Sequence, residues 1–192
     1  MVLASSSPRR LALLRQVGIE PDAVLSPDID ETVTKGELPR AYAVRMAQTK
    51  ALAAQATLEG VDDGYLLAAD TVVACGRRIL PKTERRDEAE RCLRLLSGRR
   101  HQVTTAIAVV RADGALRVRA VVTKVRVKRL ADDELTGYLA SDEWHGKAGG
   151  YAIQGRAEAL IEGIQGSYSN VVGLPVLQTV TLLRGLGWRP PA

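Results

Sequence analysis

Apolar positions along the chain recur with two periods, and the changes of period mark out its elements. Val2-Leu3-Ala4 is a short apolar run that predicts a strand. Ser7 then offers an N-cap and Pro8 a first helical residue. From Arg9 to Val17 the residues Leu11, Leu14 and Val17 keep helical spacing as an inner face, and Gly18 supplies the stop. Asp22 to Leu25 reads as a second strand. A helix opens at Pro39, turns Ala43, Val44, Ala47, Ala51 and Leu52 inward, and runs to about Ala56. Lys50, near its middle, reads by default as a solvated side chain.

The run Leu66-Leu67-Ala68-Ala69-Asp70-Thr71-Val72-Val73-Ala74-Cys75 has the length and composition of a buried strand, broken by one carboxylate. A strand ending at Ala69 would put Asp70 in a turn, but the apolar run resumes at once through Val72 and Val73. Burying an unpaired Asp costs several kcal/mol, so Asp70 must be paired, solvated in a cleft or bound to a cation.

Gly76 predicts a hairpin with Arg78-Ile79-Leu80, and Pro81-Lys82-Thr83 leads toward a helix that Thr83 caps and Glu84 favours. That helix buries Ala89, Cys92, Leu93 and Leu96 and stops at Ser97-Gly98. Two long strands, His101 to Arg111 and Ala115 to Leu130, flank the turn Ala112-Asp113-Gly114; alternation from Val121 to Lys128 gives one wet face and one core face. Asp132 caps a helix through Ala140. A glycine-dense segment from Gly146 to Gly155 follows, where Gly149, Gly150 and Gly155 admit unusual backbone shapes or close ligand approach. A hairpin spans Ala159 to Gly166, and Leu174-Pro175 opens a last helix carrying Val176, Leu177, Val180 and Leu183. Strands and helices mix without strict βαβ alternation, so the expected fold is α/β (α+β), a mixed twisted sheet flanked by helices, in one domain over residues 1–192.

Composition narrows the function. Apolar residues make up 46% of the chain and charged ones 26%, as in a soluble globular protein, and no apolar stretch is long enough to span a bilayer. No targeting segment is expected, and the two cysteines, Cys75 and Cys92, lack metal-ligand spacing and suit a reducing cytoplasm. A net charge of +5 admits a polyanion partner, but aromatic residues are only 4%, leaving few stacking platforms for single strands. A phosphorylated small molecule fits better than nucleic acid.

The candidate chemistry agrees. Ser5, Ser6 and Ser7 with Arg9 and Arg10 gather at a strand-to-helix turn, a place that receives phosphate or carboxylate. The acidic loop Asp28-Ile29-Asp30-Glu31 can give an oxygen ligand to Mg²⁺ or Mn²⁺. Gln154 presents an amide able to read a nucleobase edge. His101 and His145 sit in contexts that suit structure or surface, and no Cys/His or Ser/His pairing suggests a covalent nucleophile.

Taken together, Leu3-Ala4-Ser5-Ser6-Ser7-Pro8-Arg9-Arg10, Glu31, Lys50-Ala51, Ala69-Asp70-Thr71, Lys82, Leu96-Ser97-Gly98, Lys147 through Gly155, and Asn170-Val171-Val172-Gly173-Leu174-Pro175 resemble the Maf family of nucleoside triphosphate pyrophosphatases. The resemblance implies a fold similar to inosine triphosphate pyrophosphatases, with two lobes and a central cleft, and possession of a divalent cation (Mg²⁺, Mn²⁺ or Co²⁺). It implies hydrolysis of a nucleoside triphosphate to monophosphate and pyrophosphate, with Asp70 as proton acceptor and Glu31, Lys50 and Lys82 beside it. By their chemistry Arg10, Lys50 and Lys82, with the amides near Ser7, suit the phosphate oxygens, and Glu31 and Asp70 can hold one metal, Asp70 then either taking the water's proton or only orienting the water through the metal; Ser5, Ser7, Arg9, Thr71 and Gln154 complete the expected substrate contacts. Arg9, Thr71 and Gln154 match the branch that prefers dTTP and UTP over 7-methyl-GTP, and a homodimer accords with the family. One stretch departs from its pattern: Lys82 is followed by Thr83 where Pro is usual, Pro81 precedes it, and Arg85 stands where an acid is usual. Outside the hydrolases, a non-enzymatic nucleotide or nucleic-acid binder in division control is the competing reading; carboxylates at Glu31 and Asp70 speak against it, since a polyanion binder gains nothing from them.

Overall fold

The structure, a computed structural model, describes residues 1–58 and 64–189. Its strands and helices in chain order are β1 (Val2–Ala4), α1 (Pro8–Gln16), β2 (Ala23–Leu25), α2 (Pro39–Ala54), β3 (Tyr65–Cys75), β4 (Arg78–Leu80), β5 (Lys82–Thr83), α3 (Arg86–Leu96), β6 (Arg100–Arg111) and β7 (Leu116–Val127). There follow α4 (Asp132–Leu139), β8 (Lys147–Ala148), β9 (Ile161–Gln165), α5 (Tyr168–Val172) and α6 (Val176–Gly185). Among the described residues seven strands form one mixed sheet, ordered β2-β1-β3-β6-β7-β9 with β4 also on β3, and β5 and β8 form a separate ribbon.

β3 is the spine of this sheet, and its two edges differ. One edge pairs antiparallel with β6 without a break from Tyr65 to Ala74. The other pairs parallel with β1 over Leu66–Ala68, and antiparallel with β4 over Val73–Cys75. Between those partners, among the described residues, the edge at residues 69–72 has no strand beside it, because β1 ends at Ala4 and the chain turns away through the serines. The apolar run therefore resumes after Asp70 for a plain reason: it is one buried strand whose covering on one side is interrupted.

Strand alternation then sends neighbouring side chains to opposite faces. Leu66, Ala68 and Val72 face a core of small residues from α2, namely Ala43, Met46, Ala47, Ala51 and Ala54. Leu67, Ala69 and Val73 face the larger core, to which α1, α3, α4 and α6 contribute Leu14, Leu93, Leu135 and Leu183. Asp70 belongs to the first series and Thr71 to the second.

Several sequence expectations shift. Val17, Leu52 and Leu177 are exposed rather than inward, and Leu13 and Thr179 take buried places in α1 and α6. Asp132 is the first helical residue of α4 and not its cap; Glu134 instead accepts the Ala131 amide hydrogen bond at 3.0 Å. The stretch expected as a hairpin over 159–166 is a 3₁₀ turn, Arg156–Leu160, followed by β9, which pairs with β7. Thr83 caps no helix: it is fully buried, its hydroxyl donates to the Trp144 carbonyl at 2.8 Å, and α3 starts at Arg86. Gly149 and Gly150 serve packing. A Cβ on Gly149 would sit 2.8 Å from Val73 Cγ1, and one on Gly150 3.1 Å from Ala89 Cα. Gly155 likewise leaves room for Glu143, whose carboxylate accepts from the Arg156 amide at 2.7 Å.

Candidate active site

The interruption in the sheet opens into a cleft of about 380 Å³ lined by Ser5, Ser7, Arg9, Arg10, Glu31, Lys50, Asp70, Thr71, Lys82 and Gln154, and by three residues given no role from the sequence: Ser26, Pro27 and Lys147, the last at the head of the glycine-dense stretch. Every site residue expected from the sequence is on that wall. Each arrives by a separate route, and local sequence explains most of the routes.

Asp70 points from β3 toward α2 and is buried, and there it meets Lys50, whose Nζ lies 2.6 Å from Asp70 Oδ1. Lys50 is not solvated. It follows Met46 and Ala47 at helical spacing and continues the buried stripe of α2, which is why it turns inward. The buried ammonium satisfies the buried carboxylate, and removing Lys50 would leave Asp70 an uncompensated charge.

Glu31 enters from the loop between β2 and α2. The first turns of α2 hold that loop: Tyr42 donates its hydroxyl hydrogen to the Glu31 carbonyl at 2.7 Å, and Arg45 donates to the Thr32 carbonyl at 3.0 Å. The Glu31 carboxylate grips Lys50 with Oε1 at 2.7 Å and Lys82 with Oε2 at 2.6 Å. Burial pushes the Glu31 carboxyl up, but hydrogen bonds from Lys50 and Lys82 outweigh it and hold the group down at about 2. The nearby charges of Asp70 and Glu31 add to burial in raising the Tyr42 hydroxyl to about 12. Lys82 comes from β5, which is fixed to β8 by the pairs Lys82↔Ala148 and Thr83↔Lys147. Arg85, in the place of the usual acid, is exposed and pairs with Asp87 at 2.9 Å, away from the cleft lining.

On the opposite face of β3, Thr71 meets Arg10. The guanidinium is held by neutral oxygens only: Nη1 donates to Ser5 Oγ at 2.8 Å, Nη2 to Thr71 Oγ1 at 3.1 Å and Nε to the Gly173 carbonyl at 2.8 Å. Behind Thr71, its hydroxyl lies 3.0 Å from that of Thr105, which donates to the Asn170 carbonyl at 2.9 Å. Asn170, fully buried, donates to the Val103 carbonyl and to Thr123 Oγ1, both at 3.0 Å. Ser7 stands at the N-cap position of α1, but its side chain makes no cap bond; its amide donates to Ser5 Oγ at 3.3 Å. Gln154 is exposed on the cleft rim. His101 and His145 lie outside the lining, the first buried against Tyr151, the second exposed beside Glu84.

As a metal site the arrangement has two carboxylates closing on one point, the Lys50 ammonium, from opposite partners. Hard oxygen donors around a single cation suit Mg²⁺ or Mn²⁺. Among the described residues no group of three His, Cys, Asp or Glu side chains could hold an ion, so such an ion needs further oxygens from a ligand or water. Asp70 is a buried carboxylate beside the Lys50 ammonium, and the cations lining the cleft give it the charge to receive a polyanion.

The family model described as Maf-like protein matches residues 1–186 of the chain. A dTTP/UTP pyrophosphatase of Rhodopseudomonas palustris (strain BisB5) is 59% identical over 191 residues, covering 98% of this chain and 92% of the relative. A dTTP/UTP pyrophosphatase of Bradyrhizobium diazoefficiens is 57% identical over 190 residues, covering 97% and 91%. Among solved structures, a nucleoside-triphosphatase / dITP/XTP pyrophosphatase of Mycobacterium abscessus is 16% identical over 97% of each chain with a TM-score of 0.44. That overlap is loose and bears no weight on the site.

Proposed function

The chain belongs to the Maf family, and from that membership we propose that its cleft hydrolyses dTTP and UTP to the monophosphate and pyrophosphate. The observation that carries the chemistry is the ladder Asp70–Lys50–Glu31–Lys82, with contacts of 2.6 to 2.7 Å, set in the gap of β3. Acids interleaved with cations suit a reaction that needs both a proton acceptor and neutralised phosphate oxygens.

In this reading a water molecule attacks the α-phosphorus. A new P–O bond forms, the bond from the α-phosphorus to the bridging oxygen breaks, and pyrophosphate leaves with the electron pair. Asp70 takes the water's proton. Arg10, Lys50 and Lys82, with the hydroxyls of Ser5 and Ser7, hold phosphate oxygens. Glu31 and Asp70 would hold the divalent cation; when bound, it supplies Lewis-acid polarisation of the phosphoryl group. Arg9, Thr71 and Gln154 read the base. Gln154 suits a pyrimidine edge because its amide both donates and accepts. The free thiols of Cys75 and Cys92 support a cytoplasmic setting, and homodimer formation belongs to the same proposal, read by light scattering.

The test is a panel of nucleoside triphosphates, including 7-methyl-GTP, with pyrophosphate release as the readout and metal-depleted enzyme as control. dTTP and UTP should rank first, activity should vanish without metal, and Arg9→Ala or Gln154→Ala should reorder the panel more than they slow the best substrate. A purine or 7-methyl-GTP at the head of the panel would reject the substrate assignment.

A further inference from the structure

The cleft lining holds five cations, Arg9, Arg10, Lys50, Lys82 and Lys147, against two carboxylates. Both carboxylates are engaged, Glu31 by Lys50 and Lys82, Asp70 by Lys50. Arg10 is held by neutral oxygens. Arg9 and Lys147 are left over: among the described residues no carboxylate forms an ion pair with either, and the Lys147 ammonium donates to the His145 carbonyl at 2.8 Å.

The two leftover cations are close enough to repel each other. Burial, and after it the Arg9 charge, lowers the Lys147 ammonium from its ordinary range, and the opposing pull of Glu143 and Glu84 is weaker. Burial also lowers Arg9. Two like charges on a half-buried wall are unfavourable in the free protein and become favourable only when an anion is present.

The backbone of Lys147 is pinned where this charge is needed. It sits on β8 opposite Thr83 of β5, and the Gly146 amide donates to the Thr83 carbonyl at 2.8 Å. Thr83 also donates its hydroxyl hydrogen to the Lys147 carbonyl at 3.3 Å. The ribbon that carries Lys82 thus carries Lys147 as well, and fixes the two lysines relative to each other.

We propose that Lys147 is a further substrate-binding residue, which takes anionic oxygens of the departing pyrophosphate. The inference rests on the triphosphate reading above. The pyrimidine end, the place of Arg9, Thr71 and Gln154, is excluded as its target by charge: a neutral base offers nothing to offset a second unpaired cation, whereas the two terminal phosphates do.

Calorimetric binding of α,β-imido-dUTP and of dUMP to the wild type, Lys147→Met and Lys147→Arg tests it. Lys147→Met should weaken the triphosphate analogue about tenfold or more, as loss of a hydrogen bond to a charged group does, and dUMP by less than about twofold. Lys147→Arg should restore most of the loss, which a damaged ribbon would not allow. Unchanged affinity for the analogue, or equal losses for both ligands, overturns the role of Lys147. Wild-type pyrophosphate release from dTTP is measured alongside: its absence sinks the hydrolytic reading, while normal release with unchanged analogue binding in Lys147→Met sinks only this inference.

Discussion

Asp70 and Lys50 are both buried, with 2.6 Å between Nζ and Oδ1, and the dependence is one-sided: Asp70 leans on Lys50, whereas Lys50 also has Glu31 at 2.7 Å. Asp70→Asn keeps the shape and leaves Lys50 on Glu31. It should lower turnover by about 10²–10⁴-fold, the usual share of a positioned proton acceptor, with little change in melting temperature. Lys50→Met does the opposite: it leaves the Asp70 carboxylate buried and unpaired, at a cost of roughly 3–5 kcal/mol. The double variant Asp70→Asn/Lys50→Met should regain a large part of that stability in urea titration, because no isolated charge remains. A Lys50→Met protein as stable as Asp70→Asn would mean that water, and not the lysine, satisfies Asp70. Lys50 is also where local reasoning about the chain falls short. Its position in the stripe Ala43, Met46, Ala47, Lys50, Ala51, Ala54 is visible in the sequence; the default that a lone lysine is solvated hides the meaning, since the partner is 20 residues away on another element.

At the scale of elements, the site exists because β1 stops and α5 returns. Gly173 ends α5 with a positive φ of 133°, and its carbonyl accepts Arg10 Nε at 2.8 Å. An added Cβ would lie 3.6 Å from Thr71 Oγ1 and 3.7 Å from Arg10 Nε, so space is sufficient and the backbone angle is the obstacle. Gly173→Ala should therefore cost roughly 1–3 kcal/mol of stability and, by shifting the carbonyl, raise KM more than it lowers kcat; urea titration and saturation curves with dTTP check both. An unaltered KM would detach Gly173 from Arg10 placement. Element identity was largely readable: the apolar runs of β3 and β6, the proline-opened α1 and α2 and the glycine stops all follow from local chemistry. The ribbon β5–β8 was not, because two residues of Lys82-Thr83 carry no periodicity and Thr83 looks like a cap. Its strand state comes from pairing with Lys147-Ala148, partners 64 to 66 positions further along the chain that local sequence could not announce. The gap in β3 was equally hidden, since the length of β1 and the register of β4 decide it together.

For the molecule as a whole, the sheet divides two cores, and the gap in β3 lets one cleft draw on both. Asp70 and Lys50 come from the α2 side, Thr71 and Arg10 from the other. The larger core also supports the cleft wall through His101, fully inside the protein, whose Nε2 lies 2.7 Å from the Tyr151 hydroxyl. Burial pushes this imidazole down from 6.5 to about 4, and among the described residues its Nδ1 has no hydrogen-bond partner, so a second proton there would be a buried donor without an acceptor among them. The sign follows from linkage: the folded pKa lies below the unfolded one, so the unfolded chain takes up the proton first as pH falls. Stability from the neutral ring is complete above about pH 6.5 and drains away toward pH 4, by about 3 kcal/mol in all. Glu31, held at about 2 against an ordinary 4.5, adds a second loss that starts only below about pH 4.5. Urea midpoints measured from pH 8 to pH 3 should thus fall in two stages for the wild type, whereas His101→Gln, whatever its baseline, should stay level until the second. Parallel curves would place the first stage on another group and remove His101 as the acid-sensitive point beneath the cleft wall.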